Sequence, residues 1–196
     1  MERNETRLLK QALTHSRKLE TSRPFQTGTL EMRTTNHSTR SSHREMLLEH
    51  LLVGEILRHL WIRGDANVEV LKPQVDDAGY DIVLVCNAVT RHIQLKTSHA
   101  TAKRANVDIH LNLEKKEGGC VIWTFFDPRT LKLGPFLWFG GSPGDRLPKI
   151  QGFRIAKHTK GDATGKKAFR PSIRLVPKGK FEPINSVSAL VTRLFG

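Results

Sequence analysis

The stretch from Tyr80 to Thr97 limits the fold more than any other part of this chain. Two arms rich in β-branched and apolar residues, Tyr80-Asp-Ile-Val-Leu-Val-Cys86 and Arg91-His-Ile-Gln-Leu-Lys-Thr97, flank a short break at Asn87-Ala-Val-Thr90. That pattern predicts a β-hairpin. A turn centred between Ala88 and Val89 sets Asp81 opposite Lys96 and Val83 opposite Gln94. Side chains alternate along a strand, so Asp81, Gln94 and Lys96 share one face, while Ile82, Leu84, Ile93 and Leu95 form an apolar face for a core. Three polar groups converging on an apolar hairpin lie close enough to share an ion or a phosphate. The plainer account is a salt bridge between Asp81 and Lys96.

Asp81, twelve intervening residues and then Gln94-Leu-Lys96 resemble the PD-(D/E)-x-K motif of the restriction-endonuclease-like nucleases, in the variant where glutamine replaces the second acid. The resemblance spans about residues 45–127. It implies an α/β fold with a restriction-endonuclease-like core, in which a leading helix packs on a mixed central sheet, followed here by a basic β-rich C-terminal extension. It also implies metal-dependent hydrolysis of nucleic acid. Asp81 would be the bridging metal ligand, with the Gln94 amide oxygen and the Leu95 backbone carbonyl completing part of the shell. Glu55, on the preceding helix, would hold the metal or a water beyond it, and Lys96 would orient or help deprotonate the attacking water. Hard oxygen donors favour Mg2+ or Mn2+.

Charge points the same way. The formal net charge is +13, and lysine and arginine attract phosphates and release counterions on binding. Between Arg146 and Arg193 there are twelve lysines and arginines against two acids. A nucleic acid, DNA in the first instance, is therefore the expected partner. Lys103, Arg104, Lys157, Lys160, Lys166, Lys167, Arg170 and Arg174 are the candidate contacts. Two other readings stay open. One is a catalytically silent nuclease-like domain that binds nucleic acid, because a neutral amide at Gln94 binds a cation less strongly than a carboxylate. The other is a basic structural or protein-interaction module, whose partner binding would not respond to salt. The oligomeric state is open as well, a homodimer being the form that cutting both strands would call for.

Taken in order, residues 1–42 pass from a weakly helical start into a polar tract with few large apolar residues, which reads as a mostly disordered tail. A single domain over 43–196 follows, divided into a core at 43–139 and the basic extension at 140–196. A helix from His43 to Ile62, capped by Ser41 or Ser42 and ended by Gly64, has apolar residues around most of its axis and should be heavily buried. Glu55 lies in its crowded sector, where pairing with Arg58 or His59 is the local alternative to metal binding. Glu49 is the weaker substitute, and Glu45 suits the helix N-terminus.

Asn67–Lys72 reads as a first strand, and the turn through Asp76, Asp77 and Gly79 delivers Asp81. Residues 106–117 are ambiguous between strand and short helix. Cys120–Phe126 is a buried strand, Lys132–Phe139 returns antiparallel, and the tryptophans and phenylalanines read as core rather than as platforms for bases. Phe153–His158 and Ser172–Val176 read as strands joined by a basic loop, and Asn185–Phe195 as a short helix.

Several classes are excluded. Thr159-Lys-Gly-Asp-Ala-Thr-Gly-Lys-Lys167 is one residue short of a P-loop and has no hydroxyl after the lysine. Cys86 and Cys120 lack the spacing of a zinc ribbon or a disulfide framework, so buried free thiols in a reducing compartment are expected. The histidines lack paired zinc spacing, and no nucleophile elbow or dinucleotide fingerprint occurs. No membrane span or continuous apolar signal core is present, and the expected location is cytoplasmic.

Overall fold

The computed structural model describes residues 39–75 and 77–196. The expectations for residues 1–38 and for Asp76 fall outside them. Helix α1 (Ser41–Arg63) starts ahead of the expected His43 and has no side-chain cap from Arg40, so Ser41 and Ser42 lie inside it. It stops at Gly64, whose φ of 94° is left-handed; the Gly64 N–H bonds the Trp61 carbonyl and the Asp65 N–H bonds that of Leu60. A glycine reaches that conformation without steric cost. The heavy burial expected of α1 does not occur. Leu48, Leu52, Ile56 and Leu60 form one buried stripe, while Met46, Leu47, Leu51, Trp61 and Ile62 are exposed. A single sheet covers one side of the helix, so apolar residues elsewhere on the axis stay at the surface.

That sheet has six strands in the order β1-β2-β3-β5-β6-β9: β1 (Val68–Leu71), β2 (Ile82–Cys86), β3 (Val89–His99), β5 (Gly119–Phe126), β6 (Leu133–Gly140) and β9 (Glu182–Ile184). Among these pairs only β3 and β5 are parallel, so the sheet is mixed. A parallel pair needs a crossover. Here it contains β4 (Asn106–His110) and a 3-10 helix at Leu111–Lys115, so the ambiguous stretch is strand first and helix after. Strand β4 belongs to a second sheet, β4-β8-β7, with β7 (Ile155–Lys157) and β8 (Phe169–Pro177).

The main sheet is buried on both faces. On one, Ile82, Leu84, Ile93, Cys120, Ile122 and Trp138 pack under α1 and the C-terminal helix α2 (Val187–Phe195). On the other, Val121, Trp123, Phe125 and Phe139 pack against Val107, Ile109 and Val176 of the second sheet. Strand β5, central to both, has no exposed residue, as its apolar run requires. The C-terminal stretch is woven into this core: β9 forms the sheet edge beside β6, and Leu190, Val191 and Leu194 of α2 are buried. Thr39–Gly196 makes one compact unit.

Arg91 ties these parts together. It is fully buried, and its guanidinium donates to the carbonyls of Leu194 (2.6 Å), Arg193 (3.1 Å), Ser142 (3.0 Å) and Gly141 (3.3 Å). Its charge meets the negative end of α2, where unpaired carbonyls gather. Cys86 and Cys120 are buried and free, and burial pushes the Cys120 thiol up to about 12, which keeps it neutral and unreactive. Among the described residues no helix is long and apolar enough to cross a membrane.

Candidate active site

The hairpin forms, one step tighter than expected. Cys86 pairs with Val89, so Asn87 and Ala88 make the turn, and Ile82 pairs with Ile93. Asn87 takes a left-handed φ of 52°, which asparagine tolerates better than most residues. The change moves the register by two places, so Val83 faces His92 and Asp81, extending the same register, comes beside Gln94 rather than Lys96. An even shift leaves every side chain on its expected face.

Asp81 lies just ahead of β2, at the point where β3 runs on without it. β2 pairs with Val89–Ile93 only, whereas β3 continues to His99. The edge of β3 beyond Ile93 therefore has no strand on that side among the described residues. Asp81 closes the first part of this edge. Its N–H bonds the Ile93 carbonyl at 2.8 Å, and its Oδ2 accepts the Leu95 N–H at 2.6 Å. In a strand the N–H and C=O of one residue point to the same edge, so the Leu95 carbonyl faces out beside the Asp81 carboxylate. Gly79 makes the approach possible. Its φ is 82°, and a Cβ there would meet the His110 Cβ at 2.9 Å and the Leu113 nitrogen at 3.1 Å.

A cleft of about 400 Å³ opens along this edge. Asp81, Leu95, Lys96 and Thr97 line it from the hairpin, Glu45 and Glu49 from α1, and Arg104 and Asp108 from the start of the second sheet. Arg104 donates from Nε to the Asn106 carbonyl at 3.0 Å, and Asp108 is paired with Arg170 at 3.2 Å. Thr124 also lines the cleft, beside its register partner Thr97 on β3. Thr124 is 2 % exposed, and its Oγ1 is buried without a hydrogen-bond partner.

Two expected site residues sit elsewhere. Glu55 accepts from Arg58 Nη2 at 2.8 Å and lines a separate depression with Leu131 and Lys132, which is the local pairing open to it on the helix. Glu49 reaches the cleft instead. At 1.5 Å of rise per residue, Glu55 stands about 9 Å further along the axis than Glu49, past the end of the cleft. The Glu49 carboxylate is paired with Lys72. Gln94 is 8 % exposed and does not line the cleft; its Oε1 is buried without a partner. Nothing in an apolar strand pattern separates a glutamine facing the cleft from one turned into the core.

Of the candidate nucleic-acid contacts, Lys103, Arg104, Lys157, Lys160, Lys166 and Lys167 are exposed. Arg174 is not available as a contact. It is 7 % exposed, and its guanidinium donates to the carbonyls of Gln151, Pro171 and Ile173. Thr124 and Asp108 are the cleft residues that pattern reading missed. The available signal was a hydroxyl inside the otherwise apolar run Cys120–Phe126 and an acid between Val107 and Ile109.

Among the described residues no group of three or more histidine, cysteine, aspartate or glutamate side chains is placed to hold a metal ion. The donors at the β3 edge are a different kind of set: one carboxylate at Asp81 and the outward Leu95 carbonyl, with Glu49 across the cleft, while the unpartnered amide oxygen of Gln94 is buried outside the lining. All are hard oxygens, which fits Mg2+ or Mn2+ rather than a softer metal. No protein-family model matches this chain, and none of the curated proteins matches it.

Proposed function

We propose that this chain is a metal-dependent nuclease with a restriction-endonuclease-like core, cutting phosphodiester bonds within DNA in the cytoplasm. The observation that carries the reading is the open edge of β3, where Asp81, bonded to the Leu95 N–H, shares one cleft with Lys96 and Glu49. The antiparallel run β1-β2-β3 under α1, followed by a strand parallel to β3, supports the architecture. Asp81 and Leu95 through its carbonyl would hold a divalent cation, with Glu49 replacing Glu55 as the acid from the helix; Gln94 would join them only by turning its buried Oε1 into the cleft. When bound, the cation lowers the pKa of a water and neutralises charge on the phosphate oxygens. Lys96 then orients the attacking water and sets its ammonium against the charge of the transition state. Arg104 draws the phosphate into the cleft.

A second reading has an observation of its own. Gln94 is buried outside the cleft lining, and one Asp81 oxygen is already engaged by backbone, which favours a nuclease-like domain that binds nucleic acid without cutting it. Purified protein incubated with circular DNA, linear DNA and RNA, in magnesium, manganese or chelator, separates the two. Metal-dependent cutting is expected, with Asp81→Ala and Lys96→Ala lowering it at least about 100-fold and leaving DNA affinity within about twofold. Normal cutting by Lys96→Ala would sink the site assignment. No cutting, with salt-sensitive binding retained by all three proteins, would establish the binding domain instead.

A further inference from the structure

Lys157 and Phe169 stand opposite each other on β7 and β8, and the Lys157 ammonium lies 4.8 Å from the centre of the Phe169 ring. The pair occupies the outer face of the second sheet. Ala156, which alternates with Lys157, is buried, whereas Phe169 is 60 % exposed. A phenylalanine left open at the start of β8 forgoes most of what burial would contribute to stability, and its exposed ring carries the Lys157 ammonium.

The surroundings of the ring narrow what partner it suits. Residues 157–170 contain five lysines and arginines and one acid, Asp162. Asp162 is turned into its own loop, where its Oδ1 accepts from the Thr164 N–H, the Thr164 hydroxyl and the Lys166 N–H at 2.9, 2.6 and 3.0 Å. Backbone bonds from Asp162 to Lys166 and from Gly165 to Asp162 close the same loop. The tip is therefore held in one shape with Lys160, Lys166 and Lys167 exposed on it. Next to Phe169, Arg170 is bonded to Asp108, a wall of the cleft, so the cationic hairpin runs up to the candidate active site.

We propose that this hairpin binds single-stranded nucleic acid, with unpaired bases stacking on Phe169 and Lys160, Lys166 and Lys167 neutralising the adjoining phosphates. Bases in a duplex are already stacked and offer a strand surface only their grooves and backbone, so an open aromatic ring is of use chiefly to an unpaired base. Lys157 is exposed and its long side chain turns readily. A base can take its place over the ring while its ammonium moves to a neighbouring phosphate. The inference rests on the nucleic-acid side of the proposed function and is independent of cutting.

The test is fluorescence anisotropy in chelator, at fixed salt, with oligothymidylate, oligouridylate and a duplex of the same length. Phe169→Ala is expected to weaken single-strand binding about tenfold, the size of one lost base stack, and to leave duplex binding within about twofold. Phe169→Trp should restore it, and the tighter of the two single strands identifies the sugar. Single-strand affinity unchanged in Phe169→Ala, or an equal loss on duplex, would overturn the proposal while leaving the Asp81 and Lys96 assignments untouched. Failure of the full chain to bind any of the three nucleic acids overturns both.

Discussion

The Thr124 hydroxyl shows what a single polar group in this core costs. Oγ1 is buried with no hydrogen-bond partner, and such a group costs about 1–3 kcal/mol. Thr124→Val keeps the shape and removes the unmet hydroxyl. It is expected to stabilise the protein by about 1 kcal/mol, a Tm rise of roughly 3 °C by thermal unfolding. A Tm that falls would mean that the hydroxyl has a partner in solution. Other residues divide by how local their information is. Alternation alone sets Gln94 and Lys96 on one face of β3, while Asp81 meets that strand at its edge. Glu55 was not decided by alternation, because a position along a helix axis has meaning only once the sheet beneath fixes where the cleft lies.

At the scale of elements, Arg91 carries the heaviest local load. Its side chain collects carbonyls from the end of α2 and from the turn after β6, and its Cζ lies 5.4 Å from the centre of the Trp138 ring. Arg91→Leu leaves those carbonyls without their charged donor, and about 3 kcal/mol of stability should go with it, lowering Tm by roughly 10 °C. Amide exchange would be expected to rise first in α2. Unchanged exchange there would refute this account of how α2 is held. The sequence presents Arg91 as one polar residue on a strand and contains no sign of the helix it binds. The hairpin register was a nearer miss. Asn87-Ala88 lacks the glycine that marks a tight turn, so a looser turn fitted equally well, and the even shift between them kept the faces intact.

For the whole molecule, charge is the property with the longest reach. A net charge of +13 gives any polyanion a favourable approach, and exposed lysines gather on the β7–β8 hairpin. Replacing Lys160, Lys166 and Lys167 together by alanine should flatten the slope of log affinity against log salt by about 2 on single strands, at roughly 0.7 for each phosphate no longer neutralised. An unchanged slope would place the binding surface elsewhere. The basic character, the order of helix and strands, the buried run of β5 and the alternation that sets Gln94 and Lys96 on one face of β3 were all set by the sequence itself, because each depends on composition or on a period that repeats within a few residues. Only the tertiary structure decided that β3 outruns β2 and leaves an edge for Asp81, that Glu49 rather than Glu55 faces it, that Arg174 is spent on backbone carbonyls, and that Phe169 remains outside. Each of these depends on which surfaces meet across long stretches of chain, and no local pattern carries that information.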